Sequence, residues 1–124
     1  MNRPMSDWDR WIGLRSTPEL LLAVQEGAGA ELGLQDRLRK RYDADLVRTV
    51  FQLCDARSRA ESRFSRGEEM WLDRVGLEQA TSEAVAIHKA QRFSGPTWDL
   101  CCGIGGDALA LGATCDVVAV DRDP

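Results

Sequence analysis

The stretch TWDLCCGIGGDALAL (97–111), followed by DVVAVD (116–121), decides how this chain is read. Thr97 to Cys101 is a short apolar run of strand type. Cys102-Gly103-Ile104-Gly105-Gly106 is a glycine-rich turn. Asp107 to Leu111 begins a helix that Gly112 ends early. Asp116 to Val120 is a second apolar run, with Asp121 at its tip. The pattern predicts one β-turn-α-β unit. Its strands are apolar on both faces, as in a parallel sheet covered on both sides, and a right-handed connection joins them.

Glycines in such a turn let a nucleotide approach the backbone, and the following helix offers free N–H groups. A carboxylate at the tip of the second strand can accept both hydroxyls of a ribose. Two cofactor classes use this layout. Gly103-x-Gly105-x-x-Ala108, with Asp121 eighteen residues after Gly103, fits the nicotinamide fingerprint. Asp99 and Asp107 weigh against it, because Asp107 sets a negative charge where a pyrophosphate would lie. A carboxylate at Asp99 suits a cationic ligand. S-adenosylmethionine carries a sulfonium and an ammonium and no phosphate, so the residues are better read as a site for it.

The first 95 residues read as helical. Thr17-Pro18 starts a helix, with a capping hydroxyl and a proline at the first position; Leu20, Leu21, Leu22 and Val24 follow, and Gly27 and Gly29 end it. Leu34, Leu38 and Tyr42 recur on one helical face. Asp43 caps a long helix from about Ala44 to Phe64, apolar on one side and bearing Arg48, Arg59, Arg63 and Arg66 on the other. Ser65-Arg66-Gly67 breaks it. Thr81 caps a further helix to about Phe93, which Ser94-Gly95-Pro96 stops. The domain organisation is thus a helical region, 1–95, and the start of an α/β domain, 96–124.

Composition narrows the class. Of 124 residues, 44% are hydrophobic and 29% charged, which fits a folded chain rather than a disordered one. No apolar run suits a membrane span and the start has no signal-peptide pattern. Cys54, Cys101, Cys102 and Cys115 show no C-x-x-C spacing, so no metal site is expected and free thiols suit the cytoplasm. The net charge of −4 is unevenly spread: residues 37–66 carry a net +5 between acidic ends. That basic segment is either a solvated face or a surface for RNA phosphates. His88 is expected at the surface or in packing, Cys101 and Cys102 to fill space, and Trp8, Trp11, Trp71 and Trp98 to lie in the core.

DLCCGIGGDALAL (99–111) and VVAVDRDP (117–124) resemble motif I and the acidic strand end of class I methyltransferases. LDRVGLEQATSEAVAIHKAQRF (72–93) sharpens the likeness to a bacterial group with a THUMP-like domain, and is similar to the RNA cap trimethylguanosine synthases. The likeness covers about residues 44–124. It implies a Rossmann-like fold, S-adenosylmethionine as cofactor and methyl transfer to RNA. Thr81, Asp99, Cys101, Gly103, Gly105, Gly106, Asp121 and Arg122 would surround the cofactor, with Thr81 at its methionine end. In the family, a proline often follows this threonine; here it is Ser82. A full class I sheet has several more strands, so the chain is expected to be the amino-terminal part of such an enzyme. Catalytic residues would lie beyond Pro124, and cofactor binding by this stretch alone would be weak. Two other readings stand: a nicotinamide-binding oxidoreductase segment, and a non-catalytic helical RNA-binding module.

Overall fold

The computed structural model describes residues 5–27 and 31–122. They form seven α-helices and a two-stranded parallel sheet, and divide into two compact units between Asp55 and Ala56. The chain is mostly helical.

The first unit holds α1 (Asp7–Arg15), α2 (Pro18–Glu26), α3 (Glu31–Arg39) and the first part of α4 (Ala44–Ala60). Ser6 caps α1 reciprocally: its Oγ accepts from the Asp9 N–H at 3.1 Å and donates to the Asp9 carboxylate at 2.6 Å. Thr17 precedes α2, but its hydroxyl does not cap that helix. It donates back to the Gly13 carbonyl at 2.9 Å, closing α1. Pro18 explains the difference, since a helix with proline at its first position has one fewer N–H to satisfy. Gly27 ends α2 as predicted, while Gly29 lies outside the described residues. Asp43 does cap α4, accepting from the Asp45 N–H at 2.8 Å. Leu14, Leu20, Val24, Leu34, Leu38, Val47, Val50 and Leu53 form one buried core.

The second unit starts inside α4, which ends at Ala60 rather than Phe64. The chain leaves the helix there because Gly67 sits against the last turn: a Cβ on Gly67 would lie 2.6–2.8 Å from the backbone of Ala60 and Glu61. After a 3₁₀ turn at Gly67–Glu69 come α5 (Arg74–Gln79) and α6 (Glu83–Ala90), then β1 (Thr97–Asp99), α7 (Gly106–Gly112) and β2 (Val117–Ala119). Asp73 caps α5 through the Gly76 N–H at 2.6 Å. The N-cap position of α6 falls on Ser82, not Thr81, and the Ser82 side chain makes no capping hydrogen bond. Ala56, Ala60, Phe64, Met70, Leu72 and Leu77 form the core of this unit.

The strands pair in parallel with Thr97 opposite Val117 and Asp99 opposite Ala119. Both are shorter than expected, because Leu100 and Cys101 already turn. Helix α7 lies against both strands and against α6. The opposite face of the sheet is open: Trp98 is 65% exposed and Val118 45%. The expectation of a sheet covered on both faces therefore fails for the described residues. Of the tryptophans expected in the core, Trp11 packs against the core of the first unit, whereas Trp8 and Trp98 are exposed and Trp71 sits at the surface. Among the described residues no helix is long and apolar enough to cross a membrane.

Candidate functional site

The β1–α7 connection is built by two left-handed glycines. Gly103 has φ +53° and Gly105 φ +87°, conformations that side chains with a Cβ rarely adopt. Neither has a neighbour within 4 Å of a would-be Cβ, so the turn faces open space. Asp121, just past β2, fixes this turn: its carboxylate accepts the Gly103 N–H at 2.7 Å. The Cys102 N–H donates to the Val120 carbonyl at 3.1 Å, and the Val120 N–H to the Asp99 carbonyl at 2.8 Å. Asp121 thus serves the turn as well as offering a carboxylate beside it.

Asp99 closes β1 with one buried carboxylate oxygen, Oδ2, that has no hydrogen-bond partner. A buried acceptor of this kind is costly unless something supplies a donor. The Cys102 thiol lies within the influence of both carboxylates. Partial burial, then the charges of Asp99 and Asp121, raise its pKa above the ordinary thiol value. Cys101 is exposed beside it, and Arg122 is exposed after Asp121. None of the four cysteines is in a disulfide.

On its other side the turn is held by Thr81. Gly106 opens α7 so close to the α5–α6 connection that a Cβ would stand 3.0 Å from the Thr81 carbonyl and 3.3 Å from the Phe64 ring. The Thr81 hydroxyl donates to Asp107 Oδ2 at 2.9 Å, and Lys89 Nζ reaches the same oxygen at 2.7 Å. Asp107 Oδ1 is buried and unpartnered. The expected repulsion between Asp107 and a pyrophosphate is therefore reduced by an ammonium that sequence reading did not connect to it. Lys89 lies eighteen residues before Asp107, and no local spacing signals the pair. The case against a nicotinamide cofactor rests on Asp99.

The segment carrying Thr81 is anchored from the end of α4. The Arg63 guanidinium donates to the carbonyls of Leu77 and of Ala80, the latter at 2.6 Å. Glu83 accepts from the Ser65 N–H at 3.0 Å and from its hydroxyl at 2.6 Å. Arg57, buried, donates to the Met70 carbonyl at 2.8 Å and lies over the Trp71 ring. Arg48 pairs with Asp45, and Arg66 with Glu69. Of the arginines expected on this side of α4 and its extension, Arg63 is thus spent on the fold, while Arg48 and Arg66 are exposed in local ion pairs. An exposed basic run remains at Arg37, Arg39, Lys40 and Arg41.

His88 is exposed on α6. Among the described residues no group of His, Cys, Asp and Glu could hold a metal ion. Comparison with family models, with curated proteins and with solved structures returns no match.

Proposed function

We propose that this chain belongs to an S-adenosylmethionine-dependent methyltransferase acting on RNA in the cytoplasm, with the turn 102–106 as part of its cofactor site in a Rossmann-like domain. The observation that carries the reading is the unpartnered, buried Asp99 Oδ2 beside a turn whose glycines leave open space. A carboxylate there suits a ligand that brings positive charge and N–H donors. The residues fit the cofactor: Asp99 would meet its cationic end, Gly103 and Gly105 would leave room for it, and Asp121 would accept its ribose hydroxyls. A carboxylate has about four acceptor positions, so the bond from Gly103 does not exhaust Asp121. When bound, S-adenosylmethionine supplies an electrophilic methyl group. RNA as the acceptor rests on the net +5 of residues 37–66 and on the family likeness.

The test is a titration of the isotope-labelled chain with S-adenosylmethionine and with NAD, followed by amide resonances. S-adenosylmethionine at millimolar concentration is expected to shift the amides of residues 99–106 and 121. Asp121→Ala should weaken that binding by about tenfold or more, the cost of removing charge-assisted hydrogen bonds. Shifts with NAD at the same amides, and none with S-adenosylmethionine, would favour the oxidoreductase reading instead.

A further inference from the structure

Glycine suits a helix interior less than any residue but proline, yet α5 carries Gly76 at its third position. A Cβ there would stand 2.4 Å from Ile104 Cγ2 and 3.0 Å from Asp73 Oδ1, the oxygen that accepts the Gly76 N–H. Ile104 is the one residue of the turn 102–106 with a bulky aliphatic side chain. It is half-buried and packs against the core of the second unit. On either side of it stand Gly103 and Gly105, both left-handed and both facing open space. The rest of the turn is tied by its backbone: the Gly103 N–H donates to Asp121 at 2.7 Å, and the Gly105 N–H to the Cys102 carbonyl at 2.8 Å. Cγ2 sits on a branched Cβ whose χ1 is stiff. A side chain at position 76 would therefore push on the Ile104 backbone, and the two glycines beside it are the joints most ready to rotate.

We infer that Ile104 is the positioning residue of this turn and that Gly76 is the seat it locks into, so that α5 sets the conformation in which Gly103 and Gly105 face a ligand. The ligand's identity rests on the proposed S-adenosylmethionine site; what holds the turn in its binding shape goes beyond that reading. A turn held in place beforehand spares its ligand the cost of ordering it. The fit is one of shape. Ile104 Cβ lies 3.8 Å from a would-be Cβ at position 76, an ordinary contact, so on the Ile104 side it is the Cγ2 methyl that excludes a side chain there. A methyl on residue 76 and the methyl on residue 104 compete for one place. In the competing account the two residues only fill the core and leave the turn indifferent to them.

Wild type, Gly76→Ala, Ile104→Ala and the double variant separate the two, with stability measured in urea. The readouts are the amide resonances of Gly103 and Gly105 and a titration with S-adenosylmethionine. Gly76→Ala should shift both amides and weaken binding roughly three- to tenfold, the lower part of the coupling range for residues in contact. Ile104→Ala should weaken binding as well, by freeing the turn. The double variant should bring amides and affinity back toward wild type, because two Cβ atoms then meet at 3.8 Å. It should not recover stability, since most of the isoleucine side chain is still missing; core filling alone would make affinity follow stability instead. If Gly76→Ala leaves amides and affinity as in wild type, or the double variant is no better than Gly76→Ala, the inference is overturned. If Gly76→Ala does not fold, the double variant decides: folded with wild-type-like amides it upholds the inference, and unfolded or with displaced amides it overturns it. If wild type does not engage S-adenosylmethionine, the cofactor reading fails by itself. The amides then decide for Ile104, upholding it when they shift in Gly76→Ala and return in the double variant, and overturning it when they stay put.

Discussion

At the scale of single residues, glycines and one thiol make the sharpest demands. Gly67 is buried with backbone atoms of Ala60 and Glu61 within 2.6–2.8 Å of a would-be Cβ, and backbone cannot step aside as a side chain can. Gly67→Ala should cost about 1–3 kcal/mol, the range for overpacking a tightly filled site. Gly33, exposed in α3 with nothing within 4 Å, is the opposite case. Gly33→Ala should stabilise by about 0.5–1 kcal/mol, since alanine loses less backbone entropy in a helix. Urea denaturation of the two variants, compared in sign, checks both. At Cys102, burial first and the carboxylates of Asp99 and Asp121 second hold the proton on the thiol. Only the thiolate is nucleophilic, so its alkylation should keep accelerating at a pH where an ordinary thiol has levelled off. Asp121→Asn removes one of the opposing charges and should move that rise to lower pH. An alkylation profile of Cys102 that matches an ordinary thiol in the wild type would contradict the assignment.

Elements show how far the sequence could be read, and where it could not. The glycine turn, the helix after it, the Asp43 cap and the order strand–helix–strand follow from local chemistry, and the structure carries all of them. The α1 helix was readable too, since Ser6-x-x-Asp9 is a capping pattern. Other features depend on partners distant in sequence. The end of α4 is set by the approach of Gly67, and the Thr17 hydroxyl is claimed by the preceding helix. The arginines of α4 and its extension have the periodicity of a solvated or RNA-facing side. Arg63 instead meets the carbonyls of Leu77 and Ala80, and Arg57 the carbonyl of Met70, pairings that no helical periodicity reveals. A consequence follows for any RNA experiment. Arg63→Glu would strip two carbonyls of their donor and put a carboxylate beside them, so a loss of binding would report damage to the fold. Arg57→Met should destabilise by about 1–3 kcal/mol for the carbonyl left unsatisfied. The informative change is Arg39→Glu with Lys40→Glu, both exposed at the end of α3. If this run meets phosphates, RNA affinity should fall, and its salt dependence should flatten by about one counterion for each phosphate no longer neutralised. An unchanged slope would leave these side chains merely solvated.

For the molecule as a whole, burial is distributed unequally. Leu14, Leu20, Val47, Val50 and Leu53 are fully buried in the first unit. The sheet in the second has α7 on one face and Trp98, Leu100, Val118 and Val120 exposed. The apolar letters of 97–101 and 116–120 do call for cover on both faces. They say nothing about whether the covering elements lie within the same 124 residues, so the sheet's second layer was not legible from its strands. Two paired strands are marginal by themselves in water, and the order of stability should follow burial. Leu53→Ala, emptying a fully buried leucine site, should cost about 2–5 kcal/mol, whereas Leu100→Ala should cost little. Amide exchange should rank the same way. The N–H groups of Val50 and Leu53, within α4, should be among the slowest. Those of Thr97, Cys102 and Val120, which bond to Asp116, Val120 and Asp99 across the sheet, should exchange far faster, through local openings that leave α4 intact. Adding Leu53→Ala should speed exchange in α4 much more than in the sheet, because the sheet's openings do not pass through global unfolding. Equal protection of Val120 and Leu53, falling together in the variant, would show that the two-stranded sheet shares the cooperativity of the helical core despite its open face.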